Sequence, residues 1–358
     1  MVEIINRMKR LVTLLIFLMV AICASAQKQN YVVGFYNVEN LFDIYDDPAK
    51  NDEQFLPEGS YNWNQDKYQK KLSNIARVIS EIKKEAGAFH TILGVCEIEN
   101  RRVLEDLVKH KSIAGAGYKI VHYESPDRRG IDVGLLYRPD QFTYLDSETL
   151  PFVFEGTKVA ITLSKEEQAD FRTRDALMVH GLIDGEHVAV YVAHLPSRVG
   201  GKGEDLRPLG AEIIYKHAQK MEKKYPGIKI IVMGDMNDNP TDESMTKWMH
   251  GKENIKDVKK GDFFSPFTEV LKDGTGTLSY QGTWNIYDLI LVNKSLTKAK
   301  KNSLVIKKID NYYGQVFDED FLTQQSGKYK GTPFRTFSNG AFINGYSDHY
   351  PTYIIIGK

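Results

Sequence analysis

The sequence predicts an α/β fold in which mixed β-sheets carry helices on their outer faces. Three observations lead there. Short apolar, β-branched runs recur along the 358 residues, segments with helical spacing separate several of them, and one pair of runs is joined by a tight turn. An all-parallel sheet needs a crossover at every connection, so crossovers together with a hairpin argue for mixed sheets.

The first strand is YVVGFYNV at 31–38, and the segment NQDKYQKKLSNIARVISEIKK at 64–84 places Leu72, Ile75, Ile79 and Ile82 at helical spacing. TILGVCEI (91–98) and DVGLLYRP (132–139) are the next strands. ALMVHGLI and HVAVYVAHL flank Asp184 and Gly185, a pair that suits a two-residue hairpin turn. A helix is expected over GAEIIYKHAQKMEKKY (210–225), then strands at IKIIVMGDM (228–236), YDLILV (287–292) and TYIIIG (352–357). RVGGKGEDLRPLG (198–210) and the stretch from about 300 to 345 read as long loops, which often carry function. Repeats, low-complexity tracts and interdomain linkers are not evident, so residues 27–358 are expected to form a single domain.

The first 26 residues have a basic start (Arg7, Lys9, Arg10), an apolar run and ASA before Gln27, the pattern of a cleavable secretory signal. Cys23 would serve a lipoprotein anchor, but Ile22 before it is bulkier than such sites take, so cleavage and export to the periplasm or medium are expected. Removal of the leader leaves 44 basic against 46 acidic residues. That balance argues against a tight, non-specific grip on nucleic acid, though not against an enzyme that meets it through a local site. Cys96 is then the sole cysteine and, inside a strand, a small core residue; the core must be stable without disulfides.

Polar residues stand at the ends of these strands. Asn37 and Glu39 occur in the first, in FYNVEN, Glu97 and His194 end two others, Asp235 and Asn237 follow IIVMG, Asp288 opens DLILV, and Asp348 with His349 precedes TYIII. Such residues meet at one rim of a sheet, where open α/β proteins place their sites. Their oxygens suit a hard divalent cation such as Mg²⁺ or Mn²⁺, and no Cys/His cluster points to zinc.

In that order FYNVEN, GVCEIEN, RRGIDVGLLYRP, YVAHLPSR, VMGDMNDNP, WNIYDLIL and YSDHYP resemble the endonuclease/exonuclease/phosphatase superfamily, from about residue 31 to 355. The resemblance implies a four-layer αββα sandwich: two packed mixed sheets flanked by helices, as in deoxyribonuclease I. It implies Glu97 as principal metal ligand, with Asn37, Glu39 and Asp348 in or beside the metal shell. Asp288 would orient His349, Asp235 and Asn237 would align water and hold a phosphate oxygen, and His194 would bind non-bridging oxygens or assist the leaving group.

Arg129, Arg174, Arg198 and Arg207 lie in loops near these motifs, and a guanidinium can fork onto phosphate oxygens. Where the deoxyribonuclease branch carries Arg two residues after the metal Glu, this chain has Glu99. His122, His180, His187 and His217 fall in no motif and read as surface or packing residues. The function expected is an exported metal-dependent phosphodiesterase of the endonuclease type, with nucleic acid or another phosphoester as its partner and no obligate protein partner. A second reading keeps the chemistry on phospholipid head groups or small phosphate esters. A third, of another class, is a non-catalytic binding module on the same fold.

Overall fold

The computed structural model describes residues 29–198, 203–280, 282–298 and 302–358; the leader at 1–26, with Cys23, lies outside the described residues. Its strands are β1 (Asn30–Leu41), β2 (Ile92–Ile98), β3 (Lys119–His122), β4 (Asp132–Tyr137), β5 (Thr143–Leu150), β6 (Ala176–Ile183), β7 (Glu186–His194), β8 (Lys229–Asp235), β9 (Gly251–Lys252) and β10 (Phe263–Phe264). They continue as β11 (Leu278–Tyr280), β12 (Thr283–Asn285), β13 (Asp288–Asn293), β14 (Val305–Lys307), β15 (Gly314–Val316), β16 (Phe337–Ser338), β17 (Ala341–Phe342) and β18 (Thr352–Gly357). Three longer helices are α1 (Gln65–Ala86), α2 (Arg101–Lys109) and α3 (Leu206–Lys224).

Two seven-stranded sheets result. The first runs β14-β18-β1-β2-β4-β3 with β15 also on β18, and the second β5-β6-β7-β8-β13-β10-β9. Each is mixed: β1/β2 in the first and β7/β8 and β9/β10 in the second are parallel, the other pairings antiparallel.

Alternation along β1 explains the layering. Val33 and Phe35 enter the core shared with Ile231 and Met233 of β8 and Leu289 of β13. Val32, Tyr36 and Val38 face the other way, into a core with Leu72, Ile75, Ile79 and Ile82 of α1. On the far side, Ala211, Ile214, Ala218 and Met221 of α3 join the core of the second sheet. The order is helix, sheet, sheet, helix, the four-layer sandwich. At Gly94 the sheets come so close that an added Cβ would lie 2.5 Å from Met233 Sδ. Cys96 is fully buried in that same core.

The predicted helix at 64–84 forms, with the Asn64 side chain accepting the Lys67 amide at 3.1 Å and Gly87 ending it at φ +79°. The predicted hairpin forms as well: Ile183 pairs with Glu186, and Asp184 and Gly185 both have positive φ. One expectation is corrected. The last five residues of the loop expected over 198–210 belong to the start of α3, which begins at Leu206; Pro208 sits where the helix has no use for its missing N–H. Residues 199–202 lie outside the described residues, and 305–342 hold short strands between loops. Among the described residues no helix is long and apolar enough to cross a membrane.

Candidate active site

Strand register alone assembles half of the site. Parallel pairing of β7 with β8 sets His194 opposite Asp235, and antiparallel pairing of β8 with β13 sets Asp288 opposite Asp235. Three neighbouring strand ends of the second sheet therefore present His194, Asp235 and Asp288 in one row.

The first sheet supplies the facing half through irregularity. β1 keeps register with β2 to Asn37↔Cys96 and resumes at Leu41↔Ile98, while β2 and β4 slip between Cys96 and Ile98. Glu97 is thus bulged out of the ladder, and Glu39, Asn40 and Glu97 have φ of 48°, 54° and 59°. Asn237 across the cleft has φ 49°. Non-glycine residues in this region cost about 1–3 kcal/mol each and collect where a side chain must be aimed.

The side chains join across the sheets. Asn37 Nδ2 donates to Asp235 Oδ2 at 2.9 Å and to Glu97 Oε1 at 3.2 Å, and the Asn40 amide donates to Glu97 Oε2 at 3.1 Å. His349 Nδ1 donates to Asp288 Oδ2 at 2.7 Å, which leaves Nε2 facing Asp235 Oδ2 at 3.9 Å. Ser347 Oγ accepts from the His349 amide at 3.1 Å and donates to Asn37 O at 2.7 Å, tying the loop before β18 to β1.

The two histidines are driven apart in charge. Burial would lower the pKa of His349, but Asp288, by charge and hydrogen bond, and then Asp235 and Asp348 outweigh it, so the imidazolium is held well above its ordinary range. Burial, followed by the charges of Arg174, Arg129 and His349, pushes His194 well below it. His194 Nε2 lies 3.6 Å from Asp235 Oδ2, and buried Nδ1 has no hydrogen-bond partner among the described residues. Burial also raises Asp235 to about 6, against the opposing charge of His349.

Glu97, Asp235, Asp348, His194, His349, Asn237, Arg129, Arg174, Arg198 and Arg335 share the wall of one cleft of about 740 Å³, with Tyr280, Tyr287 and Tyr329. The predicted arginines divide. Arg129 is exposed on this wall. Arg174 is locked by Asp127 at 3.2 Å and Leu195 O at 3.3 Å, and Arg198 is held by Asn237 O at 2.8 Å, by Asp238 and by Asp242. Arg207 is not brought to the cleft: it is buried against Asp238 and Pro196 O. Asn237 turns its amide nitrogen to Leu195 O at 3.0 Å. Glu99, which stands where the resemblance expects Arg, is buried and accepts the Asp43 amide at 2.7 Å.

Glu39 and Asp348 lie together with two cations absent from the sequence reading. Arg335 Nη2 donates to Asp348 Oδ2 at 2.5 Å, and its Nε is 3.8 Å from Glu39 Oε1. Fully buried Lys71 donates to Thr336 Oγ1 and to Tyr346 O, while the Thr336 amide caps Glu39 Oε2 at 2.6 Å. Burial and then Asp348 raise Glu39 to about 7; burial lowers Lys71 to about 8. A lysine inside the apolar stripe of α1 was the available signal for Lys71. Arg335, in TPFRTFSNG, had none.

Glu97, His194 and Asp235 each offer a ligating atom within 4.8 Å of the others, so this group can hold a divalent ion, and its donors, mostly carboxylate oxygen, fit a hard one. His122, Glu124 and Asp132 form another such group, with His122 Nε2 2.9 Å from Asp132; His180 is buried and 2.9 Å from His187.

Two packed mixed sheets thus meet at a rim of carboxylates, an amide and a buried His–Asp pair. The sequence model of the endonuclease/exonuclease/phosphatase family matches residues 32–358, and the chain belongs to that family. Curated proteins yield no match to this sequence. Among solved structures, a Bacteroides thetaiotaomicron protein of the same family is similar over 92% of this chain and 98% of its own, at 15% identity and a TM-score of 0.55. A mannosyl-6-phosphatase from the same species covers 91% and 99% at 15% identity and TM-score 0.53. TDP2 of D. rerio, solved with a single-strand DNA product, covers 92% and 100% at 13% identity and TM-score 0.52. At such identities the likeness is one of fold.

Proposed function

We propose that the chain is an exported, divalent-cation-dependent phosphodiesterase of the endonuclease type, cutting phosphoester bonds in nucleic acid. The observation that carries this is His349, braced by Asp288 at 2.7 Å, with its Nε2 3.9 Å from Asp235 Oδ2 in the cleft that Glu97 also lines.

In this reading Glu97 and Asn37 hold the cation, Mg²⁺ or Mn²⁺, with Glu39 and Asp348 beside it. Once bound, such an ion stabilises the negative charge that develops on phosphate oxygens. His349 gives its Nε2 proton as a hydrogen bond to a phosphate oxygen, and Asp288 keeps it charged and oriented. Asp235, held by Asn37, and Asn237 align the attacking water, neutral His194 steadies a non-bridging oxygen or the leaving group, and Arg129 grips phosphate from the wall with Arg174 and Arg198 behind it. Arg207 takes no phosphate role here. It braces the loop instead.

One observation favours a second reading. The cleft volume is that of a small-ligand site, and its three tyrosines offer flat faces, which suits a small phosphate ester with a ring as well as a nucleotide of a longer strand. Plasmid DNA, RNA, phospholipid vesicles and sugar phosphates, each offered with Mg²⁺ or Mn²⁺, separate the readings. Nicking of plasmid by the wild type but not by Glu97→Ala is the expected result; turnover of sugar phosphates or phospholipid alone would replace the nucleic-acid reading, and inertness on every ester would leave a binding module.

A further inference from the structure

The carboxylates of the cleft fall into two groups with different neighbours. Asp235 is held by the neutral amide of Asn37 and faces His349, and among the described residues no lysine or arginine nitrogen comes within 4 Å of a Glu97 oxygen. Glu39 and Asp348 are different. Arg335 lies against both, at 2.5 Å from Asp348 and 3.8 Å from Glu39, its guanidinium stacked over Tyr329 at 5.3 Å, and buried Lys71 adds its charge to Glu39 first, Asp348 second and Glu97 last. Buried Glu39 and half-buried Asp348 thus meet two protein cations, and Thr336, next to Arg335, caps Glu39 with its amide. Facing acids in a low-dielectric site need such compensation, and a dication brought within about 4 Å of a guanidinium would be repelled by it.

We propose that Arg335 is a built-in cation of the cleft, standing between Asp348 and Glu39 in the place of a second metal ion, so that the cleft binds a single divalent ion, on the Glu97 side. The inference rests on the phosphoester reading only in so far as that reading brings a divalent ion to the cleft. It makes Arg335 a positioning residue that decides where the ion sits. The tyrosine stack and the hydrogen bond to Asp348 fix the guanidinium in place.

Counting Mn²⁺ in the cleft by electron paramagnetic resonance, as ions bound by the full chain in excess of those bound by Glu97→Ala, tests this without any substrate. The wild type and Arg335→Lys are expected to bind one ion, and Arg335→Met, freed of the charge, two. Two ions of similar affinity on the wild type, none at all, or a folded Arg335→Met that still binds one would each overturn the proposal. Should Arg335→Met not fold, Asp348→Asn decides: unchanged Mn²⁺ affinity supports the proposal, whereas the loss of about 10- to 100-fold expected of a damaged ligand shell overturns it. One tightly bound ion with no turnover of any phosphoester would sink the proposed function and leave this inference standing.

Discussion

His349 carries the largest share of the chemistry, and its behaviour depends on one neighbour. Asp288 is fully buried and its Oδ2 lies 2.7 Å from Nδ1, so Asp288→Asn removes the charge that keeps the ring protonated while leaving its packing. We expect kcat on a phosphodiester to fall about 10²- to 10⁴-fold with KM little changed. The double variant with His349→Ala should be no slower than His349→Ala alone, because the two act as one unit. Additive losses in steady-state kinetics would show that Asp288 works by another route. At this scale the motif residues were legible in the sequence because each stands at or beside one end of a strand, and a carboxylate or imidazole there has no packing use. Arg335 and Ser347 were not, since a loop residue shows its partners only after the chain has folded. Arg198 and Arg207 lay in the same blind spot: nothing in their sequence announced Asp238 and Asp242.

The elements show why the sheets hold this spacing. Gly94 lets β2 approach Met233 of β8, so Gly94→Ala should cost about 1–3 kcal/mol by overpacking, read as a shift in denaturation midpoint without a change in slope. A variant as stable as wild type would show that the sheets can part freely. Two residues before β2 stands His90, fully buried, without a side-chain hydrogen-bond partner among the described residues, and pushed by burial from 6.5 down to about 3. Its folded pKa is depressed, so the stability it contributes is whole above its unfolded pKa and drains as pH falls towards 3, by up to about 1.4 kcal/mol per pH unit. Denaturation curves from about pH 7 to about pH 4 should fall less steeply for His90→Met than for wild type; parallel curves would place the acid sensitivity elsewhere. Long apolar strands and α1 were readable from their periodicity. β5 was not, because it is an edge strand with most side chains exposed, and its polar sequence TYLDSETL lacks the alternation that marks a half-buried strand. The start of α3 was hidden by Gly and Pro, which read as loop yet suit a first turn.

Over the whole molecule, the cleft exists because two sheets with different connectivity end at the same rim. The second sheet brings His194, Asp235 and Asp288 by register, the first brings Asn37 and Glu97 by its bulges, and the loop before β18 closes the set with Asp348 and His349. The ordered motifs made this meeting legible, whereas the division of the carboxylates between a metal side and an arginine side emerged only from the packed structure. The central claim is that this rim hydrolyses phosphodiesters with a divalent ion. Its most direct test is hydrolysis of bis(p-nitrophenyl) phosphate by the purified chain in Mg²⁺ or Mn²⁺, in EDTA, and by His349→Ala. Turnover that EDTA abolishes and His349→Ala reduces by about 10²-fold or more is the predicted result. Turnover indifferent to EDTA or to His349→Ala, or none under any condition, would contradict the account.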